Sequence, residues 1–194
     1  MIKNNVPNEF YGILSQNKIL SEMDEHIENL KINGFTILET DFQKSELLSI
    51  RKEIVRTRKK YINKFGLKTL ENKNEFFTVR APSHFTDSNI FLKLYSHKKL
   101  LKILRKYIEN KFLLIQQNII FNPPKKEYGA GRWHRDLPYQ HFISSKPLVT
   151  NALFTVDDFL KVNGSTWVLS GSHKFENFPS HTFVKKNALQ LTAK

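Results

Sequence analysis

The chain has 194 residues, of which 40% are hydrophobic, which is enough to bury one core and form a single domain. It contains no cysteine, which excludes disulfides, cysteine-bound zinc and iron–sulfur clusters. The formal net charge of +13 is spread along the chain. Such a charge indicates either attraction to an anionic partner or a coding bias toward lysine. The coding bias is the simpler interpretation, because it explains the charge without any binding partner.

The amino-terminal residues lack the apolar core of a signal peptide, and no apolar run is long enough to span a bilayer. We therefore expect a cytoplasmic protein. Residues 1–20 predict a loosely ordered lead-in with a few apolar anchors. A single domain is expected over residues 21–194.

Three helices are predicted in the first half of the domain. Ser21, followed by Asp24, is close to a capping box, and Gly34 supplies a helix stop. Asp41 is predicted to cap the second helix and Ser96 the third. Their apolar positions recur at helical spacing: Met23, Ile27 and Leu30; Leu47, Ile50 and Ile54; and Leu100, Ile103, Leu104, Tyr107 and Ile108.

Most of the predicted strands lie in the second half of the chain. The polar stretch 66–74 predicts a loop. Predicted strands occupy residues 35–38, 75–80, 113–121, 149–156, 166–169 and 188–194. Helices followed by strands indicate an α+β fold in which helices pack against a sheet.

The segment Trp133-His134-Arg135-Asp136 carries the strongest chemical signal. Side chains two apart in an extended segment project to the same face, so His134 and Asp136 present an imidazole and a carboxylate together. These are two of the three ligands of the 2-His-1-carboxylate site that binds non-haem Fe(II). The alternative interpretation is an ordinary half-buried histidine bonded to Asp136. The preceding strand and the flanking Trp133, Pro138 and Tyr139 favour the metal site.

Gly171-Ser172-His173 predicts a turn. Gly171 tolerates a positive φ, Ser172 bonds local backbone, and His173 fixes the loop, with direct ligand contact by His173 as the alternative. Asp157-Asp158 likewise predicts a turn at a strand end.

The order of these features resembles the phytanoyl-CoA dioxygenase family of Fe(II)- and 2-oxoglutarate-dependent oxygenases. The resemblance runs from about residue 20 to the end of the chain. It rests on Asn33-Gly34-Phe35-Thr36-Ile37-Leu38, the helix at 96–108, Asn122-Pro123-Pro124, Trp133-His134-Arg135-Asp136, Asp157-Asp158, and Asn163-Gly164 through Gly171-Ser172-His173-Lys174.

The resemblance implies a double-stranded β-helix, or jelly roll, with His134 and Asp136 as iron ligands. In the family, 2-oxoglutarate chelates the iron and O₂ takes the remaining position. Decarboxylation to succinate and CO₂ is coupled to hydroxylation of a small organic substrate. Related halogenases lack the carboxylate, so the presence of Asp136 favours hydroxylation.

Two parts of the family pattern are absent. The third ligand is normally a distal histidine after a Gly-Asp turn, but no such turn follows Lys174. The arginine that normally pairs with 2-oxoglutarate is also missing, since Arg135 is the last arginine. His173 and His181, the latter in a predicted loop, are the candidates for the third ligand. Arg80 is the candidate 2-oxoglutarate-binding cation. The predicted domain is therefore truncated before the distal histidine strand.

Two functions follow as hypotheses. The first is an Fe(II)/2-oxoglutarate dioxygenase domain that hydroxylates a small organic molecule, with the positive charge of the chain favouring an anionic one. The chain would then be a fragment of a longer enzyme that is inactive alone, a degenerate copy, or half of an assembly whose partner chain completes the barrel. The second is a non-catalytic jelly-roll binding protein that uses its basic surface for an anionic partner. A basic nucleic-acid module leaves the ordered motifs unexplained.

Overall fold

The computed structural model describes residues 7, 9–73, 75–122, 131–136 and 143–193. Pro123, Pro124, Pro138 and Tyr139, on which part of the motif interpretation rests, lie outside these residues. The described helices are α1 (Glu22–Asn33), α2 (Lys44–Phe65), α3 (Leu67–Asn72), α4 (Ile90–Tyr95), α5 (Lys98–Ile108) and α6 (His181–Asn187). The strands are β1 (Thr78–Arg80), β2 (Asn118–Ile120), β3 (Trp167–Leu169) and β4 (Ala188–Gln190). This mixture of helices and small sheets is an α+β fold, as predicted.

The strands form two separate antiparallel pairs. In the first pair, Thr78 of β1 lies opposite Ile120 of β2. In the second, Trp167 of β3 lies opposite Gln190 of β4, and a single bridge joins Phe159 to Ala193 beyond it. The described residues form no closed barrel.

Local chemistry sets both ends of α1. The Ser21 hydroxyl accepts a bond from the Asp24 amide at 3.3 Å, and the Asp24 carboxylate accepts one from that hydroxyl at 2.7 Å. Gly34, with a φ of 81°, ends the helix by donating its amide to the Leu30 carbonyl. The predicted start and stop of this helix are confirmed.

The main core lies between α2 and the first sheet. Phe91 of α4 and Val79 of β1 are each only 1% exposed and pack with buried residues of α2 and α3. A smaller cluster joins Ile27 and Leu30 of α1 to Ile103 of α5. Among the described residues, the buried apolar side chains of the main core are Ile50, Tyr61, Leu70, Val79, Phe91, Leu94 and Ile119.

Two predicted helix caps are wrong. Gln43 is the N-cap of helix α2, and its main-chain amide donates to the Glu46 carboxylate at 3.0 Å. Asp41 instead accepts a 2.7 Å bond from Nε2 of the buried His97. Ser96 precedes α5 without capping it, because its hydroxyl donates back to the Leu92 carbonyl at 2.7 Å.

Several other predicted elements differ from the structure. The predicted loop at 66–74 contains α3, because burial of Leu70 in the core stabilises a short helix there. The predicted strand 113–121 is reduced to β2, and 75–80 to β1. Residues 35–38 and 149–156 run as irregular backbone, since they have no strand partner among the described residues. No described helix is long and apolar enough to cross a membrane.

Candidate metal centre

His134 and Asp136 lie side by side in the short segment 131–136. Nε2 of His134 is 3.8 Å from Oδ1 of Asp136, and the two side chains are 52% and 53% exposed. The projection of both groups to one side agrees with their spacing of two residues in extended backbone. The pair is therefore open to a ligand from solvent.

Each of the two groups is oriented by a further hydrogen bond. Nδ1 of His134 is 2.6 Å from the Arg132 carbonyl oxygen, which can only accept, so Nδ1 carries the proton. Nε2 is therefore the ring nitrogen, on the side of Asp136, that a metal ion could bind. The Asn151 amide donates to Oδ2 of Asp136 at 2.7 Å and leaves Oδ1 facing the imidazole. Sequence reasoning missed Asn151, because an asparagine fifteen residues away gives no local signal.

This donor set fits part of a metal site. Two ligands that each lie about 2.1 Å from one ion are at most about 4.2 Å apart, so the observed 3.8 Å is within reach of a shared ion. A metal-binding histidine typically donates its other ring nitrogen to a carbonyl or carboxylate, as His134 does to Arg132. Within the described ranges, however, no group of three histidine or carboxylate side chains converges on one point.

The structure places His173 against the end of α1. Its Nε2 donates to the Lys31 carbonyl at 3.3 Å, and Nδ1 would lie 2.5 Å from a Cβ built on Gly34. Desolvation lowers the pKa of His173, as does the charge of Lys174, against the opposing effect of the bond to Lys31. His173 thus fixes the turn 172–174 onto Gly34, and the described contacts do not bring it to His134.

The other two candidates also have local roles. His181 is the first residue of α6, so the predicted loop at this position is wrong; Ser180 caps the helix through a 3.2 Å bond from the Phe183 amide. Arg80, on β1, donates Nε to the Glu75 carboxylate at 2.7 Å. None of the contacts found for described residues joins His181 or Arg80 to the His134–Asp136 pair.

Arg135 ties the ligand-bearing segment to the loop that follows β3. Its two terminal nitrogens donate to the main-chain carbonyls of Phe175 and Glu176, and its guanidinium lies 4.8 Å from the centre of the Phe178 ring. Because alternate residues point to opposite faces, this anchor leaves both neighbours of Arg135 free to face the other way.

Two pairs of sequence motifs meet in space. Asn33 accepts bonds from the Gly171 amide at 2.8 Å and from the Ser170 hydroxyl at 2.9 Å. The Asn122 amide donates to the carbonyls of Asn163 and Gly164, both at 3.0 Å. A Cβ on Gly164 would collide with that amide and displace Asn122, and the φ of 85° also favours glycine at this position.

An open cleft of about 1850 Å³ lies beside the pair. Arg135 and Asp136 line it together with the apolar face of α5 and the irregular segments 35–40 and 143–160. Asp157 and Asp158 also line it; Asp157 is 3.3 Å from Arg51, and the Asp158 carbonyl accepts from Asn163. The carboxylate of the pair thus faces a large, mostly apolar space.

A histidine paired with an aspartate that lines such a cleft is an arrangement found in metal-dependent oxygenases. The sequence profile of the family described as phytanoyl-CoA dioxygenase (PhyH) matches residues 30–190. Because the match covers most of the chain, the chain belongs to this family, as the motif order predicted.

The chain is also similar to two mycobacterial proteins. These are the uncharacterized protein Rv1501 of Mycobacterium tuberculosis and the uncharacterized protein Mb1539 of Mycobacterium bovis, each 24% identical over 177 residues. The alignment covers 88% of this chain but 63% of each relative, so the chain spans less than two thirds of their length. No solved structure matches the chain with significance.

Proposed function

We propose that the chain is a domain of an Fe(II)- and 2-oxoglutarate-dependent dioxygenase that hydroxylates a small organic molecule. Membership of the phytanoyl-CoA dioxygenase family supports the class of reaction. The observation that carries the proposal is the His134–Asp136 pair, in which Nε2 lies 3.8 Å from Oδ1 and each side chain is oriented by a further hydrogen bond.

Iron bound at this site would supply the activation of O₂, with one oxygen atom entering succinate as 2-oxoglutarate loses CO₂ and the other entering a C–H bond of the substrate. The chain's own residues have simpler tasks. His134 would bind the metal through Nε2, Asp136 would bind it through Oδ1, and Asn151 holds that carboxylate in position. Once the cleft is covered, the apolar side chains along it would limit the access of water.

We propose further that additional polypeptide, from a longer chain or from a partner, completes a jelly roll over the cleft and supplies the third ligand and the cosubstrate cation. The cleft of about 1850 Å³ exceeds the roughly 300–1,000 Å³ of a small-molecule pocket. Ile37 and Leu153 line it and are 47% and 68% exposed, as expected of a surface that strands would cover. The net charge of +13 favours an anionic substrate.

A non-catalytic role is the second candidate. Helix α2 exposes Lys52, Arg56, Lys59 and Lys60, and this basic face suits an anionic partner without any metal. The metal titration below separates the two candidates, because the second requires no iron.

The decisive experiment is an anaerobic titration of the chain with Fe(II) and 2-oxoglutarate, followed through the weak visible charge-transfer band of the chelate. With two protein ligands the chain alone should bind Fe(II) weakly, so we expect a band that saturates only at high Fe(II) in the wild type and is lost in His134→Ala and in Asp136→Ala. His84→Ala and Asp87→Ala are matched controls, because both side chains are exposed and distant in sequence from the pair.

Two results would contradict the proposal. A folded wild-type sample that gives no band even at high Fe(II) would show that His134 and Asp136 do not hold the metal in this chain, and would leave the non-catalytic candidate in place. A band of full intensity in both His134→Ala and Asp136→Ala would show that iron binds elsewhere on the chain.

A further inference from the structure

Arg58 on α2 is a cation that forms no ion pair with any carboxylate of the described residues. Of the arginines in the chain, Arg58 and Arg135 are partly buried, whereas the others are exposed. Arg135 has two main-chain carbonyls as acceptors. Arg58 has no acceptor among the described residues, and its Nε is sealed from solvent with no hydrogen-bond partner.

Two aromatic rings hold the guanidinium of Arg58. Its Cζ lies 4.8 Å from the centre of the Phe76 ring and 4.4 Å from that of the Phe121 ring. These residues flank the paired strands β1 and β2, so the guanidinium sits between α2 and the end of the first sheet. Ring faces attract a cation but accept no strong hydrogen bond, so the rings leave the buried Nε–H unsatisfied.

The described residues of α2 that lie closest to Arg58 in sequence carry no free negative charge. Positions three and four residues away on α2 are all apolar or aromatic: Ile54, Val55, Tyr61 and Ile62. The nearest carboxylate on the helix, Glu53, is bonded to the Thr86 hydroxyl and lies 3.7 Å from Arg56. Burial lowers the pKa of Arg58, so the environment penalises its charge.

An anion bonded to the terminal nitrogens of Arg58 would offset the cost of burying its charge. They make no bond to any described residue and, unlike Nε, are not sealed from solvent. A guanidinium presents its terminal N–H pair in a fork that matches two oxygens of a carboxylate or phosphate group. Rings that fix the plane of the guanidinium reduce the entropy lost when such a group binds.

We propose that Arg58, held by Phe76 and Phe121, forms an oxyanion-binding site that takes a phosphate or carboxylate group end-on at its terminal nitrogens. The site involves neither His134 nor Asp136 and is independent of the proposed oxygenase chemistry. The site would be one specific place at which this positively charged chain binds an anion.

The test is calorimetric titration of the metal-free chain, in the presence of EDTA, with inorganic phosphate and separately with acetate at fixed ionic strength. We expect saturable binding of at least one of the two anions, with sodium chloride giving none. In Arg58→Gln the Kd should rise at least tenfold. Arg56→Gln, an exposed arginine on the same helix, is the matched control and should stay within twofold of the wild type.

The two titrants identify the ligand class, since tighter phosphate binding indicates a phosphate ligand and equal or tighter acetate binding indicates a carboxylate. Arg58→Lys keeps the charge but loses the fork, so its Kd should also rise, and it serves if Arg58→Gln does not fold. The proposal is overturned if neither anion binds the wild type, or if folded Arg58 variants bind as the wild type does.

Discussion

At His134 the informative detail is which ring nitrogen carries the proton. The sequence predicts that an imidazole and a carboxylate share one face, but the spacing of two residues cannot say which atoms meet. The Arg132 carbonyl decides this, because an oxygen that only accepts must face the protonated Nδ1. The nitrogen that remains for a metal is then Nε2, which lies toward Asp136.

Asn151 should matter to metal binding although it is not a ligand. Its amide bond to Oδ2 restrains the Asp136 carboxylate, so Asn151→Ala frees that side chain to rotate. Loss of such a supporting bond typically weakens metal affinity by about 10–100-fold, and we expect the Fe(II) Kd to rise by that factor. The anaerobic Fe(II) titration measures it.

Asn110→Ala is the control for this substitution. The Asn110 side chain bonds the adjacent Lys111 amide, in the loop after α5. Its loss should leave the Fe(II) Kd unchanged. If Asn151→Ala also binds Fe(II) within twofold of the wild type, Asn151 does not position Asp136.

At the scale of elements, charged side chains join α1 to α5. The Asp24 carboxylate accepts from Lys106, and Lys99 donates to Glu22 at 2.7 Å. The bonds from Lys106, Ser21 and the Leu20 amide lower the pKa of Asp24 from 3.8 to about 2. Asp24 is therefore both a capping group of α1 and a link to α5.

This lowered pKa makes a prediction about acid stability. The folded state favours the ionised form, so the contribution of Asp24 is fully present above its unfolded pKa near 3.8. That contribution is lost as the pH falls toward about 2. Asp24→Asn should therefore lower the urea midpoint at pH 7, and its midpoint should fall less steeply than that of the wild type between pH 4 and pH 2.

Glu25→Gln provides the comparison, because Glu25 is an exposed carboxylate in the same first turn of α1. It removes the same charge near the helix end without touching Lys106. Its midpoint should follow the wild type across the pH series. Parallel curves for Asp24→Asn and the wild type would mean that the bond to Lys106 contributes nothing to stability.

The elements that were predictable from sequence are those fixed by neighbouring residues. The ends of α1 depend on Ser21, Asp24 and Gly34, all within or beside the helix. Asp41 was assigned wrongly because its partner, His97, is 56 residues away and invisible to local patterns. The predicted strand 149–156 is wrong for a related reason. A strand forms only where another segment pairs with it, and the sequence of the strand itself does not show whether such a segment is present.

The same distinction applies to the candidate site. The pairing of His134 with Asp136 follows from their spacing, whereas the bond from Asn151 depends on the path of the intervening chain. The sequence Gly171-Ser172-His173 correctly predicts a turn. The contact of His173 with Gly34 could not be predicted in the same way, because the two residues are more than 130 positions apart. Distant contacts of this kind are set by the fold.

At the scale of the whole molecule, apolar side chains divide into a packed side and an open side. Leu70 of α3 is 3% exposed in the core beside α2, whereas Leu153 is 68% exposed along the cleft. A contiguous exposed apolar surface usually marks a site of interaction with other polypeptide or a ligand. The chain therefore has a complete core on one side of the molecule and an uncovered lining on the other.

Matched leucine substitutions test this division. Leu70→Ala removes a buried side chain and should lower the free energy of unfolding by about 2–5 kcal/mol, whereas Leu153→Ala should change it by less than about 0.5 kcal/mol. Urea unfolding of the isolated chain measures both. If Leu153→Ala costs as much as Leu70→Ala, the cleft is already covered in solution, by a second copy or by rearrangement of the chain. A small cost would leave the cleft open for the polypeptide that we propose completes the metal centre.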